Sequence, residues 1–300
     1  MTKENIFRGV WTALVTPFMD DGSLDWAAFE KLLQRQIDGG VSGVVVFGTT
    51  GESPTLSVQE KLSLIKKAKV QSGGKIRIMA GAGSSHTQQT VELSRLSEEA
   101  GAESLLNVTP PYNKPSLAGL VGHYKAICDA VSIPICLYHV PGRTAQFLTV
   151  PMLQELCSLP QVQSVKEASG DLGYFARAAA VCQSDFLTGD DPTFLASLAV
   201  GGQGVISVIS NVFPEATVAI QTAFEQGNHK LALAINQALM PMIDALFIEA
   251  NPCPTKFLMS RMGLCRPSLR LPLAPVLQKS EQTIAKIYDE TCPKLESLIK

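Results

Sequence analysis

The chain has little that would tie it to metals, nucleotides or membranes. Its seven cysteines, at 128, 136, 157, 182, 253, 265 and 292, are widely spaced and form no C-x-x-C pair, and no histidine-rich stretch adjoins them. That pattern excludes a zinc site, and the odd count argues against a disulfide framework. Most of these thiols are expected to be small core residues. No Gly-x-Gly-x-x-Gly loop follows the first strand-like run, and neither Gly81-Ala82-Gly83 nor Gly201-Gly202-Gln203-Gly204 ends in Gly-Lys-Ser/Thr. A dinucleotide fold and a phosphate loop are therefore not expected. The net charge is −2 and Lys and Arg are scattered, which excludes the basic patch of a nucleic-acid or membrane-surface binder. No uninterrupted apolar run reaches the length of a membrane span, and Met1-Thr2-Lys3-Glu4-Asn5 lacks a basic start before an apolar block. The expectation is a cytoplasmic protein acting on a small metabolite, with no metal and no cofactor.

What is present is a large apolar fraction, 46% of 300 residues, enough for one big α/β domain with or without an appendage. A β-rich run from Gly9 to Phe18 gives way at Asp20-Asp21-Gly22 to a helical pattern through Phe29, Leu32, Leu33 and Ile37. Val41 to Phe47 is almost wholly apolar, as a parallel strand covered on both faces requires. The alternation continues with strand patterns at 75–80, 103–108, 133–140, 162–167, 185–188 and 204–209 and helical patterns at 58–70, 87–100, 116–131 and 151–158. Eight short strands at a spacing of about 25 to 35 residues, each followed by a helix, predict a (β/α)8 TIM barrel over 1–228. Beyond it the strands stop. Helical patterns at 229–249, 254–264 and 280–299, punctuated by prolines, predict a C-terminal helical appendage over 229–300.

In such a barrel the active site lies at the C-terminal ends of the strands, so the residues there form one constellation. They include Thr16, Thr49, Thr50, Thr109, Tyr112, Tyr138, Arg143, Lys166, Gly189, Asp190 and Ile206. One lysine, several hydroxyls and one guanidinium, without a metal-ligand cluster, suggest amine chemistry. Lys166, where a short strand ends, admits two readings: a cation that snorkels to water, or a desolvated amine able to attack a carbonyl and form a Schiff base. Tyr138 is either a core aromatic or a proton carrier beside that amine, with Thr49 and Tyr112 extending the relay. Gly48-Thr49-Thr50-Gly51 is an ordinary loop or a cradle for a small carboxylate. Arg143 is a surface residue or a planar fork for a second carboxylate. Asp190-Asp191 has no third oxygen-rich element near it in sequence, which favours loop capping over Mg²⁺.

Seven motifs in order give this constellation a family. They are Gly-Thr-Thr-Gly-Glu-Ser at 48–53, Thr-Pro-Pro-Tyr-Asn-Lys-Pro-Ser at 109–116, Tyr-His-Val-Pro-Gly-Arg-Thr at 138–144, Val-Lys-Glu-Ala-Ser-Gly at 165–170, Gly-Asp-Asp at 189–191, Gly-Val-Ile-Ser-Val at 204–208, and Asn-Pro-x-Pro-x-Lys at 251–256 with Arg-Leu-Pro-Leu at 270–273. From about Gly9 to past Pro275 the chain resembles the dihydrodipicolinate synthase branch of the class I, lysine-dependent pyruvate aldolases. The resemblance implies that Lys166 forms a Schiff base with pyruvate and that Tyr138, Thr49 and Tyr112 relay protons. Tyr112 would complete a neighbouring subunit's site in a homodimer or homotetramer. It further implies that Thr50, with backbone groups of Gly189 and Ile206, binds the pyruvate carboxylate, and that Arg143 holds L-aspartate-4-semialdehyde. Sugar-acid relatives such as N-acetylneuraminate lyase share the lysine and tyrosine but resemble this chain less at Gly-Arg-Thr; a sugar-acid aldolase or dehydratase is the alternative.

The sequence also departs from lysine-inhibited members of that family. Where their effector site uses histidine, asparagine, glutamate and tyrosine, the matching positions here carry Val58, Lys61, Ser85, Gln89 and Pro111. A cationic Lys61 and a neutral Gln89 oppose the ammonium groups of lysine, so feedback inhibition is expected to be weak or absent. His139 stands where asparagine is commoner and puts a titratable group beside Tyr138.

Overall fold

A computed structural model describes residues 6–299. The sequence reading of the N-terminus rests on residues 1–5, which lie outside that range. Eight parallel strands close into a barrel in chain order: β1 (Gly9–Ala13), β2 (Gly43–Val46), β3 (Arg77–Ala80), β4 (Ser104–Val108), β5 (Ile135–His139), β6 (Val162–Glu167), β7 (Asp185–Thr188) and β8 (Gly204–Ser207). Closure comes from β8 pairing with β1, Trp11 opposite Ile206.

Alternation along the strands separates two cores. Trp11, Val45, Met79, Leu106, Cys136, Leu187 and Ile206 point into the barrel, whereas Val10, Val44, Val46, Leu105, Leu137 and Val165 pack outward under the helices. The lower interior is filled by the Trp11 indole, whose Nε1–H donates to the Phe7 carbonyl (2.9 Å). A Cβ on Gly43 would come within 2.4 Å of that ring, so the wide side chain on β1 requires none on β2. With its lower part packed solid, the barrel leaves its C-terminal rim for chemistry.

The helices carry their own sequence signals. Val58–Ser72 starts with a capping box in which the Ser57 hydroxyl accepts from Glu60 N–H and the Glu60 carboxylate accepts from Ser57 N–H. Asp25, Ser116, Thr149 and Asp171 cap Trp26–Asp38, Leu117–Cys128, Val150–Cys157 and Leu172–Val181 in the same sense. Helices His229–Ala245, Cys253–Arg261 and Gln278–Ile299 follow the barrel.

Some element boundaries differ from the sequence pattern. The first strand ends at Ala13 rather than near Phe18, because Leu14 and Val15 turn their N–H groups to the Val45 carbonyl and the Asn211 side chain and Thr16 bonds to Gly51. The last strand stops at Ser207, and Ile209–Asn211 winds into a 3-10 turn instead. Pro141–Thr144 forms a single helical turn.

Candidate active site

Lys166 and Tyr138 face each other across neighbouring strands. They are partners in the β5–β6 register, both nearly enclosed at 6% and 7% exposure, and the Lys166 Nζ lies over the Tyr138 ring, 4.2 Å from its centroid. Both belong to the set of inward positions, so their meeting follows from strand alternation once the barrel closes. The aromatic face packs against the nitrogen, and among the described residues no carboxylate forms an ion pair with it. On the other side Gly189 follows β7. A Cβ there would lie 2.6 Å from the Lys166 Cε and 2.7 Å from the Ala168 Cβ, so glycine is what lets the lysine stem pass. The Gly189 N–H is already committed to the Glu167 carbonyl at 2.6 Å.

Above the tyrosine opens a cavity of about 440 Å³. Thr49, Tyr138 and Arg143 share its wall, together with Lys61, Pro111 and Val108. Lys166 is not on that wall and sits on the Tyr138 ring. Thr50 is buried, and its hydroxyl accepts from the Asn251 side-chain amide at 2.9 Å. Ile206 is fully buried in the barrel interior beside Trp11 and Leu187. Arg143 is exposed at the turn after β5, and its side chain makes no hydrogen bond or ion pair among the described residues. Tyr112 alone of the sequence-picked residues points away: it is 92% exposed and held at φ 70°.

Carboxylates surround the lysine at longer range. Burial raises the pKa of both Asp190 and Asp191, opposed at Asp190 by the Lys166 charge and at Asp191 by hydrogen bonds from Ser207, Ile209 and Val208 and by the Lys166 charge. Asp191 Oδ2 accepts from the Val208 and Ile209 N–H groups at 2.9 and 3.0 Å, so it caps the chain as it leaves β8. Among the described residues no group of three or more His, Cys, Asp or Glu side chains could hold a metal ion. On the outward face of β6, burial lifts the Glu167 carboxyl to about 7 while it accepts from Ser169 N–H. His139, opposite it in register, is fully buried against Phe147 and Tyr174, and burial pulls its pKa down to about 4. The imidazole beside Tyr138 is thus neutral near pH 7 and faces the outer core, away from the lysine.

Reading the sequence for strand ends missed the residues that hold the site from behind. Glu52, at φ 55°, forms a fully buried ion pair with Lys256 (2.5 Å), and the Lys256 amine also donates to the Ser268 carbonyl (2.8 Å). Glu52 accepts in turn from Arg270 N–H at 3.1 Å. The signal was the Asn-Pro-x-Pro-x-Lys motif, whose Asn251 and Lys256 both reach the β2 loop. No local pattern gives their distance from residues 200 positions away.

Comparison with known proteins adds to this geometry. The model of the dihydrodipicolinate synthetase family matches residues 6–291. A 4-hydroxy-tetrahydrodipicolinate synthase of Bradyrhizobium diazoefficiens is 42% identical over 286 residues, covering 95% of this chain and 96% of that protein. The structure of the same-named enzyme from Methylacidiphilum fumariolicum superposes with a TM-score of 0.95 at 35% identity, covering 98% and 99% of the two chains. Dihydrodipicolinate synthase of Thermotoga maritima superposes with a TM-score of 0.94 at 36% identity, covering 96% and 99%.

Proposed function

The chain belongs to the dihydrodipicolinate synthetase family, and from that premise we propose that it is a lyase condensing pyruvate with L-aspartate-4-semialdehyde through a Schiff base on Lys166. The observation that carries this reading is a lysine amine at a barrel rim, 6% exposed, with an aromatic face as its partner and, among the described residues, no carboxylate paired with it. The amine adds to the pyruvate carbonyl and the adduct loses water, leaving a protonated imine. That cation draws electrons from the adjacent methyl, which gives up a proton and becomes an enamine carbon. The enamine attacks the aldehyde carbon, whose oxygen takes a proton. The amino group of the second substrate then closes on the imine carbon and releases Lys166.

Tyr138, Thr49 and Tyr112 move the protons in this scheme. Thr50 holds the pyruvate carboxylate, with backbone groups of Gly189 and Ile206 beside it, and Arg143 holds the carboxylate of the aldehyde. The shared wall of Thr49, Tyr138 and Arg143 supports the relay and the second-substrate site. The exposure of Tyr112 supports its use by a neighbouring subunit in a homodimer or homotetramer. The helical unit 229–300 serves the site by bracing the β2 loop through Asn251 and Lys256. Seven free thiols suit a cytoplasm that keeps cysteine reduced.

Borohydride reduction in the presence of pyruvate tests the central step. It is expected to add one reduced pyruvate unit to Lys166, found by peptide mass; an unmodified Lys166 with modification elsewhere overturns the mechanism. Turnover of aspartate semialdehyde against sialic acid and 2-keto-3-deoxy sugar acids separates this reading from the sugar-acid one.

A further inference from the structure

Tyr112 and Arg143 stand on separate loops, after β4 and β5, and one side chain ties the two. Gln146 is half-buried just beyond Arg143, and its Nε2 donates to the Pro115 carbonyl at 2.6 Å, across 31 positions of chain. A flipped carboxamide would set oxygen against oxygen there, so the carbonyl fixes the direction of the amide. Pro115 directly precedes Ser116, which caps the helix Leu117–Cys128, and Tyr112 lies just upstream of it. Between Thr109 and Ser116 the loop's other bond to the barrel, among the described residues, runs from the Asn113 side-chain amide to the Ser85 carbonyl at 2.8 Å. Asn113 therefore holds the β3 side of the loop and Gln146 its β5 side.

Gln146 is itself firmly rooted. The hydroxyl of the fully buried Thr144 lies 3.2 and 3.3 Å from the Val140 and Gln146 carbonyls and accepts from Gln146 N–H at 3.4 Å. On the other side Leu148 is fully buried, and its carbonyl accepts from the Tyr174 hydroxyl at 2.8 Å. The loop it reaches is strained, with Tyr112 and Lys114 at φ 70° and 47°, and such backbone states persist only where surrounding contacts hold them. A fixed post thus meets a strained loop through one hydrogen bond.

We propose that Gln146 is a positioning residue of the reaction: its amide sets the β4 loop, and with it the Tyr112 phenol, relative to the turn that presents Arg143. With Tyr112 serving a neighbouring subunit's site, the bond also links the aldehyde anchor of one site to the proton relay of the next. The inference rests on the synthase reading for its effect on turnover, and on the hydrogen bond alone for its effect on the loop.

Gln146→Met keeps the length of the side chain and removes the donor. With pyruvate and aspartate semialdehyde, kcat is expected to fall about tenfold, the scale of one hydrogen bond, while KM for pyruvate stays within about twofold. In a Tyr112→Phe background the same change should alter kcat by less than about twofold, since the phenol through which Gln146 acts is gone. A merely architectural role lowers both backgrounds alike. In native-state hydrogen exchange of the full-length protein, amides of 112–116 should exchange about tenfold faster in Gln146→Met, with those of the barrel strands unchanged. Equal losses of turnover in the two backgrounds, or unchanged exchange over 112–116, overturn the proposal. Exchange needs no substrate, so a protein whose Lys166 is not trapped by borohydride loses the synthase reading and still decides whether this bond holds the loop.

Discussion

Two loops at the rim of the barrel, after β2 and after β4, supply neighbouring parts of the same site and are built in opposite ways. The β2 loop, 48–53, is finished within its own chain. Its Gly51 carbonyl accepts from the Thr16 hydroxyl, its Thr50 hydroxyl accepts from Asn251, and its Glu52 is paired with Lys256 and Arg270 N–H. The β4 loop, 109–116, is tied more sparsely: Thr109 N–H donates to the Tyr138 carbonyl, the Asn113 side-chain amide donates to the Ser85 carbonyl and the Gln146 side-chain amide donates to the Pro115 carbonyl. On either side of Asn113, Tyr112 and Lys114 stand at φ 70° and 47°, with Tyr112 in solvent. A bulky residue in the left-handed region costs about 1 kcal/mol or more. In the β2 loop the strain at Glu52 is offset by a buried ion pair. At Tyr112 nothing among the described residues offsets it, which is the physical case for a second subunit covering that ring.

The largest expected effect falls on the finished loop. Lys256→Met leaves Glu52 charged and buried without its partner and should lower stability by about 3–5 kcal/mol, read from denaturant unfolding. Adding Glu52→Gln should recover much of that loss, because a missing pair costs less than half a pair. A small effect for the single variant would mean that water reaches Glu52 and that the contrast between the loops is false.

Tyr112→Phe is the complementary change. Stability should stay within about 0.5 kcal/mol, while turnover falls by about 100-fold, the lower range for a lost acid–base group. If the hydroxyl serves the neighbour's site, mixing this variant with Lys166→Met and allowing subunits to exchange should recover activity that neither has alone. No recovery on mixing would return Tyr112 to its own subunit.

A smaller effect tests how the C-terminal segment braces the helix after the β2 loop. Arg270 donates to the Glu60 carboxylate and holds its pKa down at about 2. A depressed carboxylate contributes stability that is full above its unfolded value, near 4.5, and is lost as pH falls toward 2. The two side chains are partly exposed, 20% for Arg270 and 25% for Glu60, so solvent screening holds the contribution to about 1 kcal/mol. Glu60→Gln should flatten the wild-type stability difference between pH 5 and pH 2.5 by that amount. Smallest of all is the expected response to L-lysine: with Lys61 on the cavity wall and no acid beside it, millimolar lysine should leave turnover unchanged, and inhibition in the micromolar range would contradict that charge pattern.

Much of this was legible from residue order, and the parts that were not share a cause. Strand alternation marked Tyr138 and Lys166 at the ends of adjacent strands, and parallel neighbours in register then had to face one another. The glycine at 189 read as a loop residue offering backbone to a ligand; its space for the Lys166 stem emerged only when β7 lay beside β6. Asp190-Asp191 read as a loop cap, and Asp191 does cap, but on the N–H groups leaving β8, which no local pattern names.

The sequence by itself determined the eight-fold strand and helix alternation, because the pattern of each element depends on contacts within one turn or between adjacent strands. It also determined the kinds of group at the rim. Tertiary structure alone decided that Lys166 rests on Tyr138, that Lys256 enters the interior to meet Glu52, and that Arg143 and Lys61 share a wall without an acid. These are meetings of charge and aromatic surface across up to 204 residues of chain. Their energies depend on burial and distance, and neither is a property of local sequence.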